Sequence, residues 1–202
     1  MIAIIDYGVG NLKNVYTALK KLELDATITS NLQKINDADA IILPGVGAFK
    51  DAIDNLSTYN LISTLEKNIK KGKPLLGICL GMQLLFEKSY EDGIWNGLGF
   101  LKGSVHRFPN EKKVPHMGWN SLHKNRNHEL IYNINEGEYV YFVHSYYLQT
   151  EYFSKDVLLY TNYGVKVPAV VAKDNVYGMQ FHPEKSSTTG IKLLENFKEL
   201  IK

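Results

Sequence analysis

The one cysteine of the chain lies in a segment whose residue types could carry out covalent chemistry, Gly77-Ile78-Cys79-Leu80-Gly81. An apolar run precedes this segment and a helical pattern, Met82 to Glu87, follows it, which predicts a sharp turn from strand to helix. Backbone at such a turn is strained and needs small neighbours, which the two glycines supply. The helix N-terminus favours a thiolate, and the N–H of Leu80 would face a tetrahedral oxyanion. Most lone cysteines are structural, but these glycines favour a nucleophile.

A cysteine nucleophile needs a base, and among the six histidines of the chain His182 has the most unusual context, His182-Pro183-Glu184. Proline favours an extended conformation at the residue before it, so His182 and Glu184 are expected to project toward the same side. His182 would take the proton of Cys79 and return it to the leaving group, while Glu184 would hold the imidazole in one tautomer. A lone His-Pro-Glu could be only a turn. Together with the cysteine segment, it predicts a catalytic triad.

The elements that must position these residues differ between the two halves of the chain. The first half alternates apolar runs with amphipathic stretches, which is typical of βαβ units and a parallel sheet. Its predicted strands are Ile2 to Ile5, Ala26 to Thr29, Ala40 to Leu43 and Leu75 to Ile78, and its predicted helices follow Asn11 and span Leu61 to Ile69.

The second half has period-two, aromatic-rich runs that predict strands. These runs are Tyr139 to Leu148, Val157 to Tyr160, Ala169 to Ala172 and Val176 to Phe181, with a hairpin turn at Asp174-Asn175 and a closing helix from Ile191 to Leu200. We therefore predict one α/β domain over residues 1–202. Its central, mostly parallel sheet is flanked by helices and carries additional antiparallel strands in the C-terminal half.

Composition argues against several classes of function. Lys and Arg total 23 against 21 for Asp and Glu, and a net charge of +2 gives little attraction for nucleic acid or for anionic membranes. No apolar run approaches the roughly 20 residues that a membrane-spanning helix needs, and the N-terminus does not resemble a signal peptide. A single cysteine cannot form an internal disulfide. We expect a cytoplasmic protein without a metal or other cofactor.

Two segments closely resemble the motifs of the class I, or triad, glutamine amidotransferases. They are Gly77-Ile78-Cys79-Leu80-Gly81-Met82-Gln83 and His182-Pro183-Glu184, and the resemblance extends over essentially the whole chain. It implies the fold of that family and a glutaminase that hydrolyses glutamine through a thioester on Cys79. Ammonia would be the second product.

The resemblance also implies roles for residues outside the triad. Pro44-Gly45-Val46-Gly47 resembles the oxyanion strand of the family, so the backbone of Gly45, Val46 and Gly47 would join Leu80 in holding the oxyanion. The alternative for this segment is an ordinary turn that ends a strand.

Three further positions match substrate contacts of the family. Gln83 matches the residue that recognises the amino-acid end of glutamine, and Ser145 and Tyr146 match backbone contacts to the same group. The neighbouring His144 could line the cleft, although a histidine in an aromatic strand is more often a satisfied core residue.

Other segments resemble those members of the family that pass ammonia to a (β/α)8-barrel cyclase in histidine biosynthesis, as one half of a heterodimer. This resemblance implies that Asn11, Trp119 and Lys185 face the cyclase. Trp119 could instead be a core residue and Lys185 a solvated charge. The segments are Asp6-Tyr7-Gly8-Val9-Gly10-Asn11-Leu12, Val114-Pro115-His116-Met117-Gly118-Trp119-Asn120 and Phe142-Val143-His144-Ser145-Tyr146-Tyr147.

Three other functions remain open at the level of sequence. A glutaminase with the same chemistry could supply ammonia to another synthase, for example one that modifies sugars. A cysteine hydrolase or peptidase on a similar sheet would also use Cys79 and a histidine, but Glu184 directly after the His182-Pro183 pair argues against it. A binding module with an inert cysteine is the non-enzymatic alternative.

Overall fold

The computed structural model describes residues 1–109 and 111–201, and the following elements lie within those residues. The strands are β1 (Ile2–Ile5), β2 (Ala26–Thr29), β3 (Ala40–Gly45), β4 (Leu75–Cys79), β5 (Lys88–Ser89), β6 (Trp95–Asn96), β7 (Ser104–Arg107), β8 (His116–Ser121), β9 (His123–Lys124), β10 (Tyr139–His144), β11 (Tyr146–Gln149), β12 (Val157–Asn162), β13 (Lys166–Lys173) and β14 (Val176–Met179). The helices are α1 (Leu12–Lys21), α2 (Leu32–Asp37), α3 (Phe49–Thr58), α4 (Leu61–Lys70), α5 (Leu80–Leu84), α6 (Phe153–Asp156) and α7 (Ser187–Glu199), and 3-10 turns cover Glu129–Ile131 and Pro183–Lys185.

The central sheet has eight strands in the order β2-β1-β3-β4-β14-β13-β12-β9. The pairings from β2 to β14 are parallel, and the remaining three are antiparallel. The predicted fold class is therefore confirmed. The hairpin turn expected at Asp174-Asn175 is also present, because Lys173 pairs with Val176.

Both faces of this sheet are covered, and the first strand shows how. Ile2 and Ile4 belong to one apolar cluster, while Ala3 and Ile5 belong to another on the opposite face. Such continuous apolar strands are typical of parallel sheets that lie between layers of helices. Helices α1 and α7 pack on the first face, whereas α3 and α4 pack on the second.

The predicted single extended run from Tyr139 to Leu148 is two strands that belong to different sheets. Strand β10 pairs with β8 in a two-stranded sheet, and β11 pairs with β7 in a four-stranded sheet. The change occurs at Ser145. Alternation of side chains indicates extended backbone but does not indicate which strand is the partner. The alternation continues from β10 into β11, so it predicted a single strand and not the change of sheet.

One other expectation needs correction, and one helix was not foreseen. The helix after Cys79 is α5, which ends at Leu84 rather than at Glu87. Helix α3 was not predicted, and its first residue follows Ala48, which supplies no side-chain hydrogen bond to mark a helix start. In the part of the chain that the structure describes, no helix combines the length and apolar character needed to span a membrane.

Candidate active site

Cys79 sits at the junction between β4 and α5 in a backbone conformation that is rare for residues other than glycine. Its φ is 55° and its ψ is −111°. Close backbone packing explains the glycines on either side. A Cβ at Gly77 would lie 2.6 Å from the carbonyl oxygen of Gly81, and a Cβ at Gly81 would collide with the carbonyl oxygen of Leu43. The strained turn is therefore held by backbone contacts that no larger side chain would permit.

His182 lies beside the Cys79 thiol and forms a 2.9 Å ion pair through Nδ1 with Oε1 of Glu184. Both side chains are buried, at 4% and 1% exposure. Burial disfavours charge on the imidazole, but hydrogen bonds to Cys79 and Glu184, together with their negative charges, outweigh this effect. They raise the pKa of His182 to about 9. The three predicted triad side chains thus lie together: the imidazole is bonded to the carboxylate and lies next to the thiol, whose sulfur is also 3.9 Å from the carbonyl oxygen of Val143.

The local geometry of the imidazole–carboxylate pair differs from the extended arrangement expected from sequence. His182 is extended, with φ −96° and ψ 99°, but Pro183–Lys185 forms a 3-10 turn. Proline suits the first position of a helical turn because its missing N–H is not needed there. Glu184 therefore reaches back to His182 across a tight turn rather than along a strand.

The segment that carries His182 is fastened to strand β10. The N–H of His182 donates to the carbonyl oxygen of Tyr141 at 3.2 Å. The hydroxyl of Ser186 donates to the carbonyl oxygen of His182 at 2.7 Å and accepts from the N–H of Tyr141 at 3.0 Å. These bonds hold the imidazole in place relative to the strand that leads into the pocket.

Cys79 and His182 open onto a pocket of about 350 Å³. Most of the predicted oxyanion and substrate residues line it. Gly45 does not, but it pairs with Cys79 in the register between β3 and β4. The lining residues are Val46, Gly47, Cys79, Leu80, Gln83, Glu91, Pro115, Val143, His144, Ser145, Tyr146 and His182.

The predicted oxyanion residues come from two segments, the start of α5 and the chain that continues from β3. Helix α5 begins at Leu80, so the N–H of Leu80 lies in the first turn and has no acceptor within the helix. Just after β3, Gly47 has a φ of 100° and Val46 is exposed, and both line the pocket. The hydroxyl of Tyr7 donates to the carbonyl oxygen of Pro44 at 2.7 Å and so anchors the start of this segment.

Sequence reasoning missed Gln180, which links two predicted site residues. Nε2 of Gln83 donates to Oε1 of Gln180 and to the carbonyl oxygen of Tyr146, each at 3.1 Å. Nε2 of Gln180 in turn lies 3.9 Å from the sulfur of Cys79. The position of Gln180 two residues before His182 was the only available signal, and it does not reveal the contact with Gln83.

Glu91 was also missed, although it places a carboxylate at the pocket. Its Oε2 accepts from the N–H of Phe49 at 2.7 Å, and burial raises the pKa of Glu91 above the ordinary value. Glu91 lies in an irregular stretch without a recognisable motif, so its place in the pocket became visible only in three dimensions.

The three residues predicted at a partner interface are accessible to different degrees. Trp119 is 53% exposed and Lys185 is exposed, so neither is a core residue, while Asn11 is half-buried before α1. The ring of Trp119 makes an edge contact with Tyr141, the residue whose backbone binds His182. Within residues 1–109 and 111–201, no group of three or more His, Cys, Asp or Glu side chains is placed to hold a metal ion.

Solved structures share this fold over essentially the whole chain. One, described as a glutamine amidotransferase, superposes with a TM-score of 0.78 at 20% sequence identity and covers 100% of this chain and 99% of its own. Another, PurLQS from Thermotoga maritima, superposes with a TM-score of 0.77 at 22% identity and covers 100% of this chain and 98% of its own. At these identities the similarity shows the fold alone.

Sequence relatives are much closer. The protein named imidazole glycerol phosphate synthase subunit HisH from Caldanaerobacter subterraneus subsp. tengcongensis is 53% identical, with 100% of this chain and 99% of the relative covered. The protein of the same name from Oceanobacillus iheyensis is 51% identical, with 100% of both chains covered. The family profile described as glutamine amidotransferase class-I matches residues 3–200. This chain therefore belongs to the class-I glutamine amidotransferases.

Proposed function

We propose that this chain is the glutaminase subunit of imidazole glycerol phosphate synthase and that residues 1–202 form one glutaminase domain. It hydrolyses glutamine to glutamate and ammonia. The observation that carries the proposal is the grouping of Cys79, His182 and Glu184, with Cys79 and His182 lining a small pocket. The chain is also 53% identical, over its full length, to a relative that bears this name.

The first half of the reaction transfers the acyl group of glutamine to sulfur. His182 accepts the proton of Cys79, and the thiolate attacks the side-chain amide carbon to form a tetrahedral oxyanion. The imidazolium, stabilised by Glu184, then donates its proton to the amide nitrogen. The C–N bond breaks, ammonia leaves, and a thioester on Cys79 remains.

The second half hydrolyses the thioester. His182 accepts a proton from water while the oxygen attacks the thioester carbon, and the tetrahedral intermediate expels the thiolate. The proton held on His182 returns to the sulfur, and glutamate leaves. A base with a raised pKa fits a group that must carry a proton in both halves.

The oxyanion would be held by backbone N–H groups. We assign this role to Leu80 on the helix side and to the Gly45, Val46 and Gly47 segment on the other. Support comes from the location of Leu80 in the first turn of α5 and of Val46 and Gly47 at the pocket.

The amino-acid end of glutamine would bind at Gln83, Ser145 and Tyr146, which line the pocket and which we call the substrate wall. We add Glu91, because its carboxylate is complementary to the α-ammonium group of an amino acid and lies at the same pocket. Replacement of Glu91 by Gln is expected to raise the KM for glutamine more than it lowers kcat.

The acceptor of the ammonia is a synthase subunit, which we propose to be a (β/α)8-barrel cyclase. Ammonia in neutral water is largely protonated and loses its nucleophilicity, so a closed path between subunits would preserve it. Asn11, Trp119 and Lys185 are the proposed contacts, and the exposed ring of Trp119 suits an interface anchor. The free thiol of Cys79 is compatible with the cytoplasm, where we place the enzyme.

The test is ammonia release from glutamine by the full chain, with and without the synthase subunit. We expect slow release alone, faster release in the complex, and a loss of at least about 10³-fold in kcat for Cys79→Ala. His123→Ala is a control, because His123 also pairs with a glutamate, Glu136, and does not line the pocket. Normal turnover by Cys79→Ala would overturn the proposal.

Labelling and affinity capture test the two parts of the proposal separately. A glutamine-like electrophile should modify Cys79 stoichiometrically, and an inert cysteine would contradict the glutaminase. Capture of a sugar-modifying synthetase in place of the cyclase would retain the chemistry and overturn the assigned pathway.

A further inference from the structure

Two buried histidines that the triad does not use face each other across the β8–β10 pair. His116 and His144 are directly opposite in the strand register, and Nδ1 of His116 lies 3.0 Å from Nε2 of His144. They are 3% and 6% exposed. The rings of Phe142 and Tyr163 stack on His116, with centroids 4.7 and 4.1 Å away. We refer to His116 and His144 as the histidine pair.

The hydrogen positions of this pair follow from the groups at its two ends. Nδ1 of His144 lies 2.7 Å from the carbonyl oxygen of Tyr146, which can only accept, so this nitrogen carries a hydrogen. In the neutral ring Nε2 of His144 is then an acceptor, and Nδ1 of His116 must donate to it. Nε2 of His116 is left to accept from Nδ2 of Asn120 at 3.3 Å.

The orientation of Asn120 agrees with this assignment. Its Oδ1 accepts from the N–H of Ser121 at 2.8 Å, and its Nδ2 also donates to the carbonyl oxygen of Asn162 at 3.2 Å. A second hydrogen on either imidazole would bring two donors together at Asn120 or at the contact between the rings. Burial lowers the pKa of His116 to about 4 and that of His144 to about 3, which also favours the neutral form of both rings.

At the other end, the pair reaches the substrate pocket. The carbonyl oxygen of Tyr146 accepts from both His144 and Gln83, and the second hydrogen of Gln83 Nε2 goes to Gln180. Both hydrogens of the Gln83 amide are thereby used. Its oxygen is left as the acceptor that the pocket presents to an incoming ammonium group.

We propose that His116 and His144 are positioning residues for glutamine, because as two neutral imidazoles with fixed tautomers they hold the Tyr146 carbonyl and, through it, the Gln83 amide. The proposal rests on the glutaminase function and names how its substrate wall is held. It also joins that wall to β8, the strand that carries the exposed Trp119, so a partner that moves β8 would alter the affinity for glutamine.

The first test uses His116→Phe in the complex with the synthase subunit. Phenylalanine keeps the ring stack with Phe142 and Tyr163 but removes the hydrogen bonds. We expect the KM for glutamine to rise about tenfold, because a buried polar group loses its partner. We expect kcat to change by less than about twofold, because the triad is untouched. The rate at which iodoacetamide alkylates Cys79 should stay at the wild-type value.

His128→Phe is the matched control. His128 is less deeply buried than His116, but it is also hydrogen-bonded and its pKa is also lowered chiefly by burial; it caps a 3-10 turn and does not line the pocket. Its replacement should leave the KM unchanged. A folded His116→Phe enzyme with a wild-type KM, or with kcat reduced as strongly as kcat/KM, would overturn the role of the pair.

Two further tests remain valid even if the His116→Phe variant fails to fold. One uses variants of His144, and the other is a measurement on the wild-type protein. His144→Asn retains an N–H donor close to Nδ1, so its KM should stay below that of His144→Leu. Nitrogen-15 NMR at pH 7 should show both rings neutral and protonated at Nδ1. An imidazolium, or a ring protonated at Nε2 alone, would overturn the proposal.

The outcomes also separate this inference from the proposed function. A wild-type complex that hydrolyses glutamine, with variants that leave the KM unchanged, would remove only the role of the histidine pair. A wild-type complex that releases no ammonia from glutamine would remove both.

Discussion

His182 and His144 line the same pocket and are buried to a similar degree, with 3% and 6% of their surfaces exposed. Their pKa values nevertheless move in opposite directions, to about 9 for His182 and to about 3 for His144. Burial disfavours the charged form of both rings. His182 has a carboxylate at 2.9 Å and a thiol beside it, whereas His144 has a carbonyl oxygen and a second neutral imidazole. The charge of the partner therefore decides the outcome.

This difference in pKa matches two different roles in one pocket, proton transfer by His182 and positioning of substrate groups by His144. A histidine that moves protons must be able to hold a charge, and Glu184 makes this possible for His182. A histidine that holds substrate groups in place must keep one tautomer, and the neutral neighbours of His144 ensure that it does.

The largest effect is expected for Glu184→Gln. The amide keeps the size of the side chain but removes the charge, so the pKa of His182 should fall and kcat for glutamine hydrolysis should drop by about 10³-fold or more. Steady-state kinetics across a range of pH measures both. Glu136→Gln is the matched control, since Glu136 pairs with His123 outside the pocket, and it should have no effect on kcat. A kcat within tenfold of wild type would contradict the claim that the charge of Glu184 enables His182 to move protons.

Asn120→Asp should make the histidine pair resemble the triad histidine. A carboxylate in place of the amide 3.3 Å from Nε2 of His116 would favour the imidazolium and raise its pKa by roughly 1–3 pH units. NMR titration of the His116 ring measures this. Asn125→Asp lies outside the pair and should leave that titration unchanged. An unaltered pKa of His116 would mean that burial, and not the neighbouring charge, controls the pair.

His182 and the histidine pair should also change the free energy of unfolding with pH in opposite directions. Between pH 6.5 and about 9 the folded chain keeps a proton on His182 that the unfolded chain releases, so the free energy of unfolding should fall as pH rises through this window. Between about pH 4 and 6.5 the unfolded chain binds protons at His116 and His144 that the folded chain does not, so stability should fall as pH drops.

Urea denaturation at steps of pH measures both slopes. His182→Gln should flatten the alkaline slope, and His116→Phe combined with His144→Asn should flatten the acid slope. Equal slopes in wild type and variants would show that other groups control the pH dependence.

The smallest effect is expected for Ser186→Ala. The hydroxyl bonds both to the carbonyl of His182 and to the N–H of Tyr141, so its loss should reduce the free energy of unfolding by about 1 kcal/mol. Ser187→Ala, at the exposed neighbouring position, should change it by less than about 0.5 kcal/mol. Comparable losses in the two variants would argue that the hydroxyl of Ser186 does not fasten the triad segment.

The strand that leads into Cys79 could be predicted because its signals are local. Apolar runs between glycines indicate buried strands, and the predicted strand ending at Ile78 agrees with β4 to within one residue. The 3-10 turn at Glu184 and the change of sheet at Ser145 were not predicted. Both depend on which segment packs against the chain at that point, and side-chain periodicity carries no such information.

The sequence by itself determined the chemistry available to this protein: one thiol in a strained glycine-flanked turn, one His-Pro-Glu segment and the family to which they belong. Only the tertiary structure decided which histidine holds a proton and which stays neutral. Glu184 and the Tyr146 carbonyl are each two residues from the histidine that they bind, but the other contacts join distant parts of the chain, with 28 positions between His116 and His144 and 97 between Gln83 and Gln180. Electrostatic and hydrogen-bonding effects depend on distance in space, and the fold alone sets those distances.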